Sequence, residues 1–265
     1  MFTRILAVLV LSCSPALLIA DDPPPAGVEK KEAKEARDPS VGGLTDADSK
    51  TTGAIAGKIV FKGKMPEMKP IPIPPEHRDL PTCGKEVPYE RHVFGPGNAL
   101  ANVVVSLDKI PGAPKPQKRD IALDNAHCRF VPHVQATTAG SKLKVTSQDP
   151  ILHSANALLG NPFNVAVTPD KPVEKTLFKP GWMPVTCATH GWMQAHIWVF
   201  PHDFFAVTSK EGKFRIQGVP PGKYSVKVWH EAMDDEALDK AAQEVTVEAG
   251  KPSELKTIEL SPSEN

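Results

Sequence analysis

Alternating apolar and polar positions run through most of the chain after residue 52. Gly53-Ala54-Ile55-Ala56-Gly57-Lys58-Ile59-Val60-Phe61 reads as one strand, and Val103-Val104-Val105-Ser106-Leu107 as a second. Between them, residues 65–96 are rich in Pro and predict irregular chain. Seven more strand-like runs follow at 128–137, 143–147, 153–159, 164–167, 173–178, 185–187 and 195–200. Runs this short, separated by turn residues, predict a sandwich. Residues 213–216 and 224–229 flank Gly218-Val219-Pro220-Pro221-Gly222 and predict a hairpin, since Pro sets φ and Gly accepts positive φ. Met233, Ala237, Leu238 and Ala241 stand at helical spacing, which predicts a short helix within 231–243. Closing strands are expected at 245–247 and 256–260.

The first fifty residues read differently. Met1-Phe2-Thr3-Arg4 gives a positive start, an apolar run continues to Ala20, and Asp21-Asp22 ends it. That pattern predicts a secretory signal peptide over residues 1–20, too short to serve as a spanning helix. Residues 21–52 hold Pro23-Pro24-Pro25 and the charged run from Glu29 to Arg37, with no aromatic residue. Such a segment buries too little apolar surface to offset chain entropy, so a disordered tether is expected. The mature protein is therefore expected in the periplasm or secreted, with no integral membrane segment.

Composition narrows the classes. Lys+Arg and Asp+Glu both number 31, so the formal charge is zero and no basic excess points to nucleic acid. The 28 Pro residues are about twice the ordinary share of roughly 5% and argue against a helical bundle. If Cys13 leaves with the signal, Cys83, Cys128 and Cys187 remain, and an odd thiol in an oxidising compartment needs a second job. One disulfide, Cys83–Cys128, plus one chemically occupied cysteine is the economical partition. The competing reading puts those two thiols in a metal or haem site with His92, His127 or His133. No C-x-x-C-H is present to attach haem.

The strongest chemical signal is Cys187-Ala188-Thr189-His190-Gly191-Trp192-Met193, a C-x2-H-x2-M segment between two predicted strands, with His153 upstream in Ser147-Gln148-Asp149-Pro150-Ile151-Leu152-His153. A thiolate, two imidazoles and a thioether are the ligand set of a blue-copper site. Thiolate and thioether are soft and suit Cu(I), whereas imidazole binds both oxidation states. A tight loop between strands aims Cys187, His190 and Met193 at one point, and His153 arrives from a neighbouring loop. The competing set is zinc held by Cys187, His190 and His153, with Met193 an ordinary core residue.

Residues 120–200 resemble a cupredoxin, nearest in loop length to the amicyanin type among amicyanin- and plastocyanin-like proteins and similar to methylamine-utilisation-type cupredoxins. The likeness rests on Phe130-Val131-Pro132-His133-Val134, Gly140, the Asp149…His153 loop, Phe178-Lys179-Pro180-Gly181 and the C-x2-H-x2-M loop. It implies one type 1 copper ion held by His153, Cys187, His190 and Met193, and one-electron transfer with a redox partner protein that the sequence does not name. Cupredoxins commonly place Asn after the first His and Ser or Thr after Cys, tying the two ligand loops. Here Ser154 and Ala188 stand there, and Ala188 has no side chain to make that bond, which predicts a looser tie. Trp192 sits inside the ligand loop, to shield the metal or offer an apolar docking surface.

The end of the chain, through Gly212-Lys213-Phe214, Gly218 to Tyr224 and Val228-Trp229-His230-Glu231, is similar to carboxypeptidase-regulatory, transthyretin-like domains, which also occur as the middle domain of rhamnogalacturonan lyases. The fold expectation is therefore all-β: a Greek-key cupredoxin sandwich over 118–201, inserted in a small transthyretin-like sandwich made of 53–112 and 202–262. His202, His230 and Glu231 suggest a weak further metal cluster. No nucleophile–base pair, carboxylate pair or phosphate-binding loop stands out, and four protein ligands leave a copper no open position, so the chain is not expected to be an enzyme in its own right. Two other readings compete with electron transfer: a non-redox cell-envelope protein that binds carbohydrate or protein, and a copper storage or delivery protein.

Overall fold

A computed structural model describes residues 50–108, 110 and 113–262. The expected signal segment and nearly all of the expected tether lie outside those residues. The described chain is almost entirely β, with short α-helices only at Leu80–Cys83 and Asp235–Lys240. No described helix is long and apolar enough to cross a membrane.

The middle of the chain forms a sandwich. One sheet orders Val173–Leu177, Ser141–Ser147, Ile121–Ala126 and Arg129–Val131 side by side. The other orders Phe163–Val167, His153–Ala157, Gly181–Thr186, Gln194–Phe200 and Val134–Thr138. Alternation along Ser141–Ser147 buries Leu143 and Val145 and exposes Lys142 and Lys144. Leu123, Phe130, Leu143, Val145, Leu177, Met183 and Ile197 fill the space between the sheets. Each such side chain contributes about 1.5–3 kcal/mol of burial.

The expected single strand at 128–137 is two strands in different sheets. Arg129–Val131 pairs with Ile121–Ala126, while Val134–Thr138 runs parallel to Gln194–Phe200. Pro132 has no N–H for a ladder, so the chain crosses between sheets there. The 65–96 segment is not wholly irregular either. Ile71–Pro72 pairs with Glu86–Val87, and the helix Leu80–Cys83 lies between them.

Residues on both sides of the middle sandwich build a second pair of sheets together. Gly53–Phe61 pairs antiparallel with Lys213–Val219, from Gly53↔Val219 to Lys58↔Lys213, and runs parallel to Pro252–Glu254 and Ile258–Leu260. Val104–Asp108 lies between Phe205–Val207 and Gly222–Trp229, which continues to Gln243–Val247. Gly212 shows why a turn residue is needed: it has φ +70°, its carbonyl accepts from the Ile59 amide at 2.9 Å, and a Cβ there would lie 2.3 Å from the Ile59 carbonyl. Ile55, Ile59, Leu107, Phe214, Ile216 and Val226 form the core of this pair. Val104, Val134, Phe200, Phe205 and Val207 form a smaller apolar cluster where the two sandwiches meet.

Candidate metal centre

His153 opens the strand His153–Ala157, and Cys187 follows Gly181–Thr186. The loop from 187 to 193 is closed by its own backbone: the Cys187 amide donates to the Met193 carbonyl at 3.3 Å, and the Met193 amide to the His190 carbonyl at 2.9 Å. This brings His153, Cys187 and His190 together. The two imidazole Nδ1 atoms are 3.1 Å apart, and Cys187 Sγ is 3.5 Å from His190 Nδ1. All three donor atoms lie within 4.8 Å of one another. Both imidazoles are fully buried, and Cys187 and Met193 nearly so, in one apolar cluster.

The outer nitrogens of the two histidines are each held by a carboxylate. His153 Nε2 lies 2.9 Å from Asp149 Oδ2, and His190 Nε2 lies 3.1 Å from Asp79 Oδ2. A carboxylate only accepts, so each Nε2 carries the proton and each Nδ1 is free to turn a lone pair inward. Such outer partners fix ring orientation and ligand basicity at metal sites. Two inward lone pairs at 3.1 Å repel unless a cation stands between them or one nitrogen is protonated. Without metal, a proton fills that role. Burial opposes charge on His190, but the Cys187 sulfur and Asp79 outweigh it and raise its pKa. Burial would likewise raise Cys187, yet its contacts with His153, His190 and Ser154 bring its pKa to about 4. The thiol is therefore a thiolate at neutral pH, the form that binds metal.

The expectation of a loose tie between the ligand loops is corrected. Ser154 supplies it alone: its Oγ accepts from the Ala188 amide at 2.8 Å, while its amide and hydroxyl approach Cys187 Sγ at 3.4 and 3.7 Å. Trp192 is half-buried; its indole N–H donates to the Cys128 carbonyl at 3.1 Å, and its ring meets those of His190 and His77 edge-on.

Cys83 and Cys128 are bonded. His127 and Cys128 both have positive φ, 52° and 54°, as the two-residue turn between Ile121–Ala126 and Arg129–Val131 demands. Asp149 holds that turn, accepting from the His127 amide at 2.8 Å and the Cys128 amide at 2.9 Å. Asp79 lies immediately before the helix that carries Cys83. The disulfide thus joins the two carboxylate anchors: Asp79 reaches His190 from one side, and Asp149 reaches His153 from the other.

Asp79 and the anchoring role of Asp149 were missed from sequence. Asp149 had a signal, four residues before His153. Asp79 had none, because it is 111 residues from its partner. Of the weak cluster suggested from sequence, only Glu231 joins a group of potential metal donors, with His133 and His196 rather than His202 and His230.

A model of "Polysaccharide lyase family 4, domain II" matches residues 190–255. No curated protein matches the chain. Among solved structures, a copper-containing nitrite reductase from Thermus scotoductus is similar at 19% identity over 35% of this chain, with a TM-score of 0.30, and the chain spans only 25% of that enzyme. A purple cupredoxin from Nitrosopumilus maritimus is similar at 15% identity over 31% of this chain and all of its own, with a TM-score of 0.28. A reduced amicyanin mutant is similar at 12% identity over 36% of this chain and 98% of its own, with a TM-score of 0.29. The expectation that the chain is not an enzyme is overturned by the family match, since the domain matched over residues 190–255 is one found in a polysaccharide lyase family.

Proposed function

We propose that the protein binds one type 1 copper ion and uses it for one-electron transfer. One observation carries this reading: two inward-facing imidazole Nδ1 atoms and a thiolate lie within 4.8 Å of one another, with both outer nitrogens already held by carboxylates. His153, Cys187 and His190 would hold the ion, and the thioether of buried Met193, in the same loop, would complete the soft donor set. A copper ion held there would supply the Cu(I)/Cu(II) couple that one-electron transfer needs. The chain's own residues hold the ligands still. Ser154 stabilises charge on the Cys187 sulfur, Asp149 and Asp79 orient the imidazoles, and Trp192 with His77 covers the His190 edge. Export to the periplasm or beyond, and exchange of electrons with a partner protein there, belong to the same proposal.

Adding Cu(II) to the full-length protein is expected to give an intense visible thiolate-to-copper band. Cys187→Ser should abolish it, whereas Met193→Leu should keep it and raise the potential. A colourless complex, or equal loss in both variants, would overturn the assignment in favour of zinc or of copper storage and delivery. The lyase-domain match over 190–255 supports a second reading for the flanking sheets, as a module that binds polysaccharide or protein at the cell envelope.

A further inference from the structure

A second group of donors lies where the two sandwiches meet. His133 follows Pro132 in a motif that the copper reading leaves unused. His196 belongs to the strand Gln194–Phe200, and its amide donates to the His133 carbonyl at 2.8 Å. Glu231 comes from the flanking sheets, just after Gly222–Trp229. Both imidazoles turn Nε2 to this one carboxylate: His133 to Oε1, and His196 to Oε2 at 3.2 Å. The three side chains are only 8–10% exposed.

The geometry points to a second metal site, formed by His133 Nε2, His196 Nε2 and the Glu231 carboxylate, for a divalent first-row ion of the zinc or iron type. Two imidazoles and one carboxylate are a borderline set without sulfur, which suits those ions rather than a blue-copper centre. Three protein ligands leave coordination positions open, as catalytic sites do and closed structural zinc sites do not. His133 is already set for the role. Its Nδ1–H donates to the Gln194 carbonyl at 3.0 Å, the kind of outer anchor that metal-bound histidines have. Gln194 directly follows Met193, so the end of one candidate site orients a ligand of the other.

In the metal-free protein, protons occupy the place of the ion. Both His133 ring nitrogens face groups that only accept, the Gln194 carbonyl and the Glu231 carboxylate, so each carries a proton. His196 Nδ1 accepts from the Trp182 indole at 3.3 Å, so its own proton sits on Nε2. Loading then balances as follows: His133 gives up its Nε2 proton to solvent, and His196 moves its single proton from Nε2 to Nδ1, surrendering the bond from Trp182. One proton leaves per ion, and Trp182 reports the event.

Titration of the metal-free, full-length protein with Co2+ tests this without reliance on the copper reading. The expected result is one equivalent that lacks sulfur-to-cobalt charge-transfer absorption, releases one proton, and shifts the indole N–H resonance of Trp182. Glu231→Gln should weaken that equivalent at least tenfold and leave any thiolate-bound equivalent in place, whereas Cys187→Ser should do the reverse. His133→Asn gives the same test if Glu231→Gln fails to fold. Absence of a sulfur-free equivalent in the unaltered protein, or its survival unchanged in both variants, would overturn the site.

Discussion

The two histidine clusters use the same residue types in opposite arrangements. Around His153 and His190 the carboxylates stand behind the rings, on Nε2, and the Nδ1 atoms face a thiolate. Around His133 and His196 the carboxylate stands between the rings, while a carbonyl and an indole hold the outer nitrogens. The difference decides the chemistry. A carboxylate behind an imidazole orients and polarises it; a carboxylate in front of two imidazoles becomes a donor itself. The first arrangement adds soft sulfur to its two imidazoles in a closed apolar cluster, and the second adds a carboxylate to its two imidazoles at a seam between sheets.

The largest expected break in this contrast comes from the disulfide. Replacing both Cys83 and Cys128 by Ala removes the link between the Asp79 helix and the Asp149 turn. A loss of about 2–5 kcal/mol is expected in denaturant unfolding. Copper binding should suffer with it, and the His133 cluster, whose hydrogen-bond partners do not include that bond, should keep its metal response. Asp149→Asn comes next. It loses a charge-assisted partner of His153 and weakens the hold on two turn amides at once, so copper affinity should fall by about 10–100-fold in competition titrations. Asp79→Asn touches one ring only and should fall at the low end of that range, with a raised potential, because a neutral amide supports Cu(II) less than a carboxylate does.

The smallest effect is the pH response of the metal-free seam. Glu231 has its pKa lowered from 4.5 to about 2, so its contribution is present above 4.5 and disappears as pH falls towards 2. His133 has its pKa raised from 6.5, so its contribution is complete below 6.5 and fades as pH rises through the elevated value. The difference in melting temperature between the unaltered protein and Glu231→Gln should therefore be greatest between about pH 4.5 and 6.5 and shrink on both sides. A gap that is flat with pH would show that Glu231 acts through packing instead of charge.

How legible each cluster was in the sequence follows from chain distance. Cys187, His190 and Met193 share one loop, and a fixed spacing between strands is a pattern a reader can see. His196 lies inside one strand, His133 just before another and Glu231 two residues past a third, with no spacing in common, and the register of Val134–Thr138 against Gln194–Phe200 brings the first two together. Asp79 was hidden by its surroundings: a four-residue helix in a Pro-rich stretch has no period to detect, and its partner is 111 residues away. The break at Pro132 was legible in principle, since a residue without an N–H interrupts a ladder, but the apolar run across it reads as continuous. Ser154 shows a subtler failure, where one hydroxyl does the work expected of two side chains.

The bond between Cys83 and Cys128 also ties the Asp79–His190 contact to the redox state of the chain, because it fastens the short helix after Asp79 to the turn that Asp149 grips. A chain kept reduced would present thiolate and imidazoles with one ring unguarded, and would hold metal less selectively. The oxidised protein is therefore expected to bind copper more tightly than the same chain with that bond reduced, a difference that a competition titration of the two forms would read.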